Sequence, residues 1–81
     1  MEDETFNIDD IYIPVKRKST LNLEKVQAIA ESILEEGQKR PIHVRRDRNR
    51  FVLIEGLHRL EACRSLGEKT IIGLLVQARL K

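Results

Sequence analysis

Four consecutive residues, Gly56-Leu57-His58-Arg59, have the types and the order to hold an anion. They follow an apolar run, Phe51-Val52-Leu53-Ile54-Glu55, and open a segment in which Leu57, Leu60, Cys63 and Leu66 recur at three-residue steps before Gly67. This reads as a buried strand, a glycine turn and a short helix. The first turn of a helix carries backbone N–H groups with no intrahelical partner, and the positive end of the helix dipole lies behind them. An imidazole and a guanidinium beside those groups suit a phosphate, whose oxygens can use all of them together. A plainer reading stays open, in which Gly56 only makes the turn and His58 and Arg59 are solvated. Against it stands the dipole, which disfavours cations at a helix start unless a counter-anion is present.

Such a turn needs a scaffold, and the rest of the chain supplies one. Asn22 is placed to cap a helix over Leu23–Glu36, with Glu24 in its first turn and Gly37 at its end. Within it Val26, Ile29, Ala30, Ile33 and Leu34 follow the spacing of a single apolar stripe. After Pro41 the period changes to two, and Asp47-Arg48-Asn49 separates Ile42–Arg46 from Phe51–Glu55, which predicts a hairpin. The run Thr70-Ile71-Ile72-Gly73-Leu74-Leu75-Val76 reads as a strand at Ile71–Val76 buried on both faces. Ile8–Ile13 reads as a first strand ended by Pro14, Lys16-Arg17-Lys18-Ser19-Thr20 as a loop, and Met1 to Thr5 as a mobile acidic tail. The expected fold is α+β: residues 6–81 form one small domain in the order β-α-β-β-α-β. Its two helices pack on a small mixed sheet through Val26, Ile29, Ile33, Leu60, Cys63 and Leu66.

Composition narrows the function classes. With 81 residues and 41% hydrophobic content, one aliphatic core must do the stabilising. Aromatic residues make up 4% of the chain and Trp is absent, which argues against a stacking platform for single-stranded nucleic acid. A single cysteine cannot form an internal disulfide, and Cys63 sits on the apolar stripe, where thiols are inert. No apolar stretch has signal-peptide or membrane-spanning length, so the expected location is the cytoplasm. Net charge is only +2, yet Glu2, Asp3, Glu4, Asp9 and Asp10 crowd one end while basic residues follow. Arg45, Arg46, Arg48 and Arg50 lie on the hairpin, with Lys39 and Arg40 leading into it and Lys16-Arg17-Lys18 as a second cluster. These arginines could contact a DNA backbone, or form a solvated basic edge that deters strand pairing. Alternation sends Arg45 and Arg46 to opposite faces, and His43 reads as solvent-facing beside Arg45.

The motif Gly56-x-His58-Arg59-x-x-Ala62 resembles the phosphate-binding motif of the ParB/sulfiredoxin superfamily. The flanks are similar in the same order: Lys25-Val26-Gln27, then Gly37-x-x-x-Pro41-Ile42-x-Val44, then Glu61 through Ile71. The resemblance covers roughly Ile8 to Val76. It implies that Gly56, Leu57, His58 and Arg59 hold the phosphates of a nucleoside triphosphate, ATP or CTP, with Mg2+. It also implies that Lys25 and Ser32 approach from the first helix; Ser32 matches the second of two hydroxyl residues there, and Ala28 stands at the first. Two departures stand out. Ile13 falls where the family carries an arginine, and Leu57 falls where sulfiredoxins carry their reactive cysteine. Cys63 is six residues further on, nearly two helical turns, and cannot reach that point.

The resemblance therefore implies a ParB-like nucleotide-binding module associated with DNA, with a second copy or another protein as a further partner and no membrane. The alternative is an ATP-dependent enzyme of the sulfiredoxin-like fold, whether a divergent reductase, a phosphotransferase or a nuclease. For phosphotransfer, Glu55 or Glu61 could serve as general base, although Glu61 also reads as an i, i+3 partner of His58 and Glu55 as an ordinary carboxylate at the edge of a pocket. A metal set drawn from His43, Glu55, His58 and Glu61 lacks the spacing that hard cations require, so no metal ligand is assigned. Nothing in the 81 residues reads as the helix-turn-helix module that follows this domain in ParB partition proteins.

Overall fold

The helix over Leu23–Glu36 forms as its caps dictate. The Asn22 side chain accepts from the backbone N–H of Glu24 and of Lys25, and Gly37, at φ 78°, closes the other end. In the computed structural model, which describes residues 2–77, this helix is α2. The other elements are β1 (Glu4–Asn7), β2 (Ile11–Tyr12), α1 (Val15–Lys18), β3 (Ile42–Asp47), β4 (Arg50–Glu55), α3 (Leu57–Ser65) and β5 (Thr70–Leu75). The α3 helix stops in a Schellman motif: Gly67 N–H donates to the Arg64 carbonyl and Glu68 N–H to the Cys63 carbonyl, with Gly67 at φ 80°.

The five strands form one mixed sheet in the order β1-β5-β3-β4-β2. β1 runs antiparallel to β5 and β3 antiparallel to β4, whereas β5 and β3 are parallel, as are β4 and β2. β1 and β2 thus lie at opposite edges, yet only a three-residue 3-10 turn, Ile8–Asp10, joins them. Five strands laid flat would hold those edges about 19 Å apart. The step from Asn7 to Ile11 reaches about 14 Å at most. The sheet must curl, and the rings of Phe6 on β1 and Phe51 on β4 meet edge to face, 5.0 Å between centroids.

α3 packs into the curled sheet. Leu57, Leu60 and Cys63 join Phe6, Ile8, Ile11, Ile13, Ile42, Val44, Leu53 and Ile71 in one buried cluster. A second, smaller cluster of Val26, Ala30 and Ala62 seals α2 against α3, with Ile29, Ile33 and Leu66 at its margin. The stripe expected on α2 therefore exists at Val26, Ile29, Ala30 and Ile33 and lies mainly on α3, but Leu34, expected in it, is 73% exposed. Ile33 is only half-buried and touches both clusters. Ile33→Ala is accordingly expected to cost about 1–2 kcal/mol, less than the 2–5 typical of a fully buried isoleucine. Urea unfolding at constant m-value measures it.

Four expectations are corrected. The single strand over Ile8–Ile13 is broken, because Asp9 and Asp10 favour a turn and Asn7 Nδ2 donates to Asp10. Pairing begins earlier, at Glu4, so Glu4 and Thr5 of the expected tail belong to the sheet; Met1 lies outside the described residues. The loop over Lys16–Thr20 contains a helical turn, α1, entered from Pro14, whose fixed φ suits a helix start. Finally, β5 is not buried on both faces: Ile71 is enclosed while Ile72 is 37% exposed, since the helices cover one face only.

Candidate functional site

The turn from β4 into α3 is built on a close approach that only glycine permits. Gly56 has φ 108° and ψ 29°, and a Cβ placed on it would lie 2.6 Å from Ile42 Cγ2 and 3.2 Å from Ile42 Cα. Just before it the β3–β4 ladder slips. His43 pairs with Glu55 and Val44 with Leu53, leaving Ile54 as the extra residue of a β-bulge. The bulge sets His43 opposite Glu55, with Nδ1 3.5 Å from Oε2.

α3 begins without a side-chain cap. Gly56 supplies none, and the first N–H to find a helical acceptor is that of Leu60, which donates to the Gly56 carbonyl at 2.9 Å. The helix start opens beside a cleft of about 400 Å³ lined by Arg40, Pro41, His43, Glu55, Gly56, Arg59 and Leu74. A smaller recess of about 180 Å³ adjoins it, where Arg40 and Arg59 meet Ser32, Ile29, Ile33, Gly37 and Lys39. Among the described residues no hydrogen bond or ion pair engages either guanidinium. Two uncommitted cations and unpaired N–H groups at a helix start make this the place where an anion is best stabilised.

The structure sorts the residues expected at the site. Gly56 and Arg59 share the larger cleft, and Ser32 joins Arg59 in the recess. The Leu57 side chain is in the core, so only its backbone faces the turn. His58 is committed elsewhere: its Nε2 accepts the backbone N–H of Asn22 at 3.0 Å, tying the start of α3 to the start of α2. An accepting Nε2 carries no proton, which leaves Nδ1–H as the ring's free donor. Lys25 is exposed on the first turn of α2 and lines neither cavity. Glu61 faces Arg64, 3.5 Å from its Nε. Arg40, which the sequence offers only as part of the basic stretch leading into the hairpin, lines both cavities, and His43, expected to face solvent, has a side chain 36% exposed and also lines the larger cleft. The adjacency of Arg40 to Pro41 was a usable signal for the first. The bulge that brings His43 to Glu55 has no sequence signature.

The basic hairpin does not present one face. Arg46 stacks over Phe51 at 5.2 Å, and Arg50 over Tyr12 at 4.0 Å while lying 3.5 Å from Asp47. Arg45 stands opposite Val52, on the other face from Arg46, and Arg48 is exposed at the tip with φ 58°.

Cys63 is 3% exposed, and burial, helped by Glu68 and opposed by Arg59, pushes its thiol pKa up. A thiol held protonated is a poor nucleophile. Iodoacetamide at pH 8 should therefore modify Cys63 only after denaturant is added, which mass spectrometry of the native and unfolded chain would read.

This curled sheet, with a glycine-led helix start at its edge, is the fold of sulfiredoxins and ParB N-terminal domains. A sulfiredoxin from Arabidopsis thaliana superposes with a TM-score of 0.86 at 26% identity, over 96% of this chain and 88% of that one. A C-terminally truncated chromosome-partitioning protein ParB from Caulobacter crescentus, complexed with CTP-γ-S, superposes at 0.82 with 22% identity, over 98% of this chain and 46% of that one. In sequence, a probable chromosome-partitioning protein ParB from Campylobacter jejuni is 36% identical over 62 residues, 76% of this chain. The match spans only 22% of that relative's length. The ParB N-terminal domain family model matches residues 4–81, and the chain belongs to that family.

Proposed function

We propose that this domain binds a nucleoside triphosphate, ATP or CTP, with its phosphates on the Gly56–Arg59 turn. The observation that carries the reading is the uncapped start of α3, pressed onto Ile42 by Gly56 and opening into a cleft with two guanidinium groups that have no partner among the described residues. The backbone N–H groups of Leu57, His58 and Arg59 would meet the phosphate oxygens, and Arg59 would add a charge-assisted hydrogen bond. The larger cleft, about 400 Å³, lies within the range of small-molecule sites. Glu55, at its rim, is the carboxylate that would take a Mg2+ carried by the phosphates, since Mg2+ in such sites uses one or two carboxylates plus phosphate oxygens. Ser32 and Lys25 would approach from α2, Lys25 only by extending its exposed side chain. The ParB from Caulobacter crescentus, which shares the fold, holds a CTP analogue, and this supports the nucleotide class. Calorimetric titration with ATP, CTP and GTP in the presence of Mg2+ tests it: saturable binding of at least one is expected, and heats of dilution alone for all three would end the reading.

The named role of the Campylobacter relative, chromosome partitioning, supports an association with DNA and a cytoplasmic setting. Among the described residues no helix is long and apolar enough to cross a membrane. With Arg46 and Arg50 resting on aromatic rings, the hairpin offers Arg48 and Arg45 as its freer cations. Binding through them would be to phosphates, weak and salt-sensitive. Arg45 and Arg48 changed to Glu should lower affinity alike for unrelated duplexes and flatten the log K against log salt slope by about one unit for each phosphate no longer neutralised. Fluorescence anisotropy at several salt concentrations reads both quantities, and an unchanged slope would rule the hairpin out as the DNA-binding element.

A second reading, phosphoryl transfer, is favoured by the His43–Glu55 pair in the same cleft. Glu55 would orient His43 as a general base toward water or a hydroxyl group. Sulfinic acid reduction is not expected, since Leu57 stands where a thiolate is needed.

A further inference from the structure

The side chain of Gln38 does the work of a missing strand residue. β3 and β5 first pair at Ile42 and Gly73, and the residue before Ile42 is Pro41, which has no N–H to offer. The next backbone groups along β5 are those of Ile72. They are taken by the Gln38 amide: Ile72 N–H donates to Oε1 at 2.9 Å, and Nε2 donates to the Ile72 carbonyl at 2.8 Å. The same Nε2 donates to the Arg40 carbonyl at 2.9 Å, so one amide ties the loop between α2 and β3 both to the sheet and to itself. That loop carries Arg40, which lines both the larger cleft and the recess together with Arg59.

We infer that Gln38 is a positioning residue which fixes Arg40 as the second phosphate-binding cation, opposite the helix start that carries Arg59. This rests on the proposed nucleotide reading. Without the three hydrogen bonds the loop between Gly37 and Pro41 loses its anchor on β5, and Arg40 samples orientations outside the cleft. A cation that must be ordered on binding stabilises the bound anion less than one already in place. Neither glutamate nor methionine can replace Gln38. A carboxylate there would face two carbonyl oxygens with nothing to donate, and methionine keeps the volume but makes none of the three bonds.

The test measures inorganic triphosphate affinity and melting temperature for the parent, Gln38→Met, Gln38→Ala, Arg40→Ala, Arg59→Ala, and Gln38→Met combined with Arg40→Ala. Arg40→Ala should weaken binding about tenfold, the loss expected for one hydrogen bond to a charged group. Each Gln38 variant should weaken it several-fold in the parent and less than about twofold once Arg40 is gone. Any change in melting temperature from Gln38→Met should be the same in both backgrounds, which separates positioning from general stability. If Gln38→Met binds triphosphate as the parent does, or its loss is undiminished in the Arg40→Ala background, the inference falls while the nucleotide reading stands. If the parent itself binds no triphosphate, or Arg59→Ala binds it equally well, the nucleotide reading falls and takes this inference with it.

Discussion

Gly56→Ala should be the most damaging small substitution in this domain, costing about 2–5 kcal/mol of stability by two separable effects. The first is conformational, since a left-handed backbone at φ 108° penalises any Cβ by about 1–2 kcal/mol. The second is steric. The new methyl group would sit 2.6 Å from Ile42 Cγ2, and Ile42 is completely buried between β5 and β4, with little freedom to retreat. Overpacking of that kind costs about 1–3 kcal/mol. Gly67→Ala is the control, because its φ of 80° carries the first effect while nothing lies within 4 Å of its Cβ. Chemical denaturation of both variants should place Gly56→Ala well below Gly67→Ala. Equal losses would show that the packing against Ile42 is not tight.

Arg59→Ala should do the reverse, leaving the fold intact and removing most of the binding. Its guanidinium has no protein partner among the described residues, so stability should change by less than about 0.5 kcal/mol. A hydrogen bond to a charged group contributes about 1.5–3 kcal/mol, so nucleoside triphosphate affinity should fall roughly 10- to 150-fold. Isothermal titration on parent and variant reads the affinity, and thermal unfolding confirms the unchanged fold. A variant that binds as tightly as the parent would remove Arg59 from the site.

The two substitutions also mark what the sequence made legible. Local signals were strong wherever a single residue has one physical use. Asn22 and Gly37 bounded α2 to the residue, Gly67 ended α3 in the expected left-handed turn, and Gly56 marked the entry into a helix. The α+β class followed from those elements and from the change of period after Pro41. What escaped depends on contacts between distant segments. The β-bulge at Ile54 arises in the β3–β4 ladder and leaves no mark on composition, so the sequence reads His43 as solvent-facing without its place beside Glu55 at the cleft. The curl of the sheet follows from β1 and β2 taking opposite edges, and pairing order is not encoded in local pattern. A four-residue helix such as α1 is too short to show a period. His58 is expected beside Arg59 from the helix start and the motif, and the additional contact of its Nε2 with the Asn22 N–H joins distant segments and has no local signal.

The central claim is positional: phosphates rest on the backbone at the start of α3. The most direct measurement is a 15N–1H correlation spectrum of the parent titrated with Mg2+ and the triphosphate that calorimetry selects. The largest amide shifts are predicted to fall on Gly56, Leu57, His58 and Arg59, with smaller ones at Arg40 and Ser32, and to saturate with a single affinity. Shifts centred on another element, with the Gly56 to Arg59 amides unmoved at saturation, would contradict it.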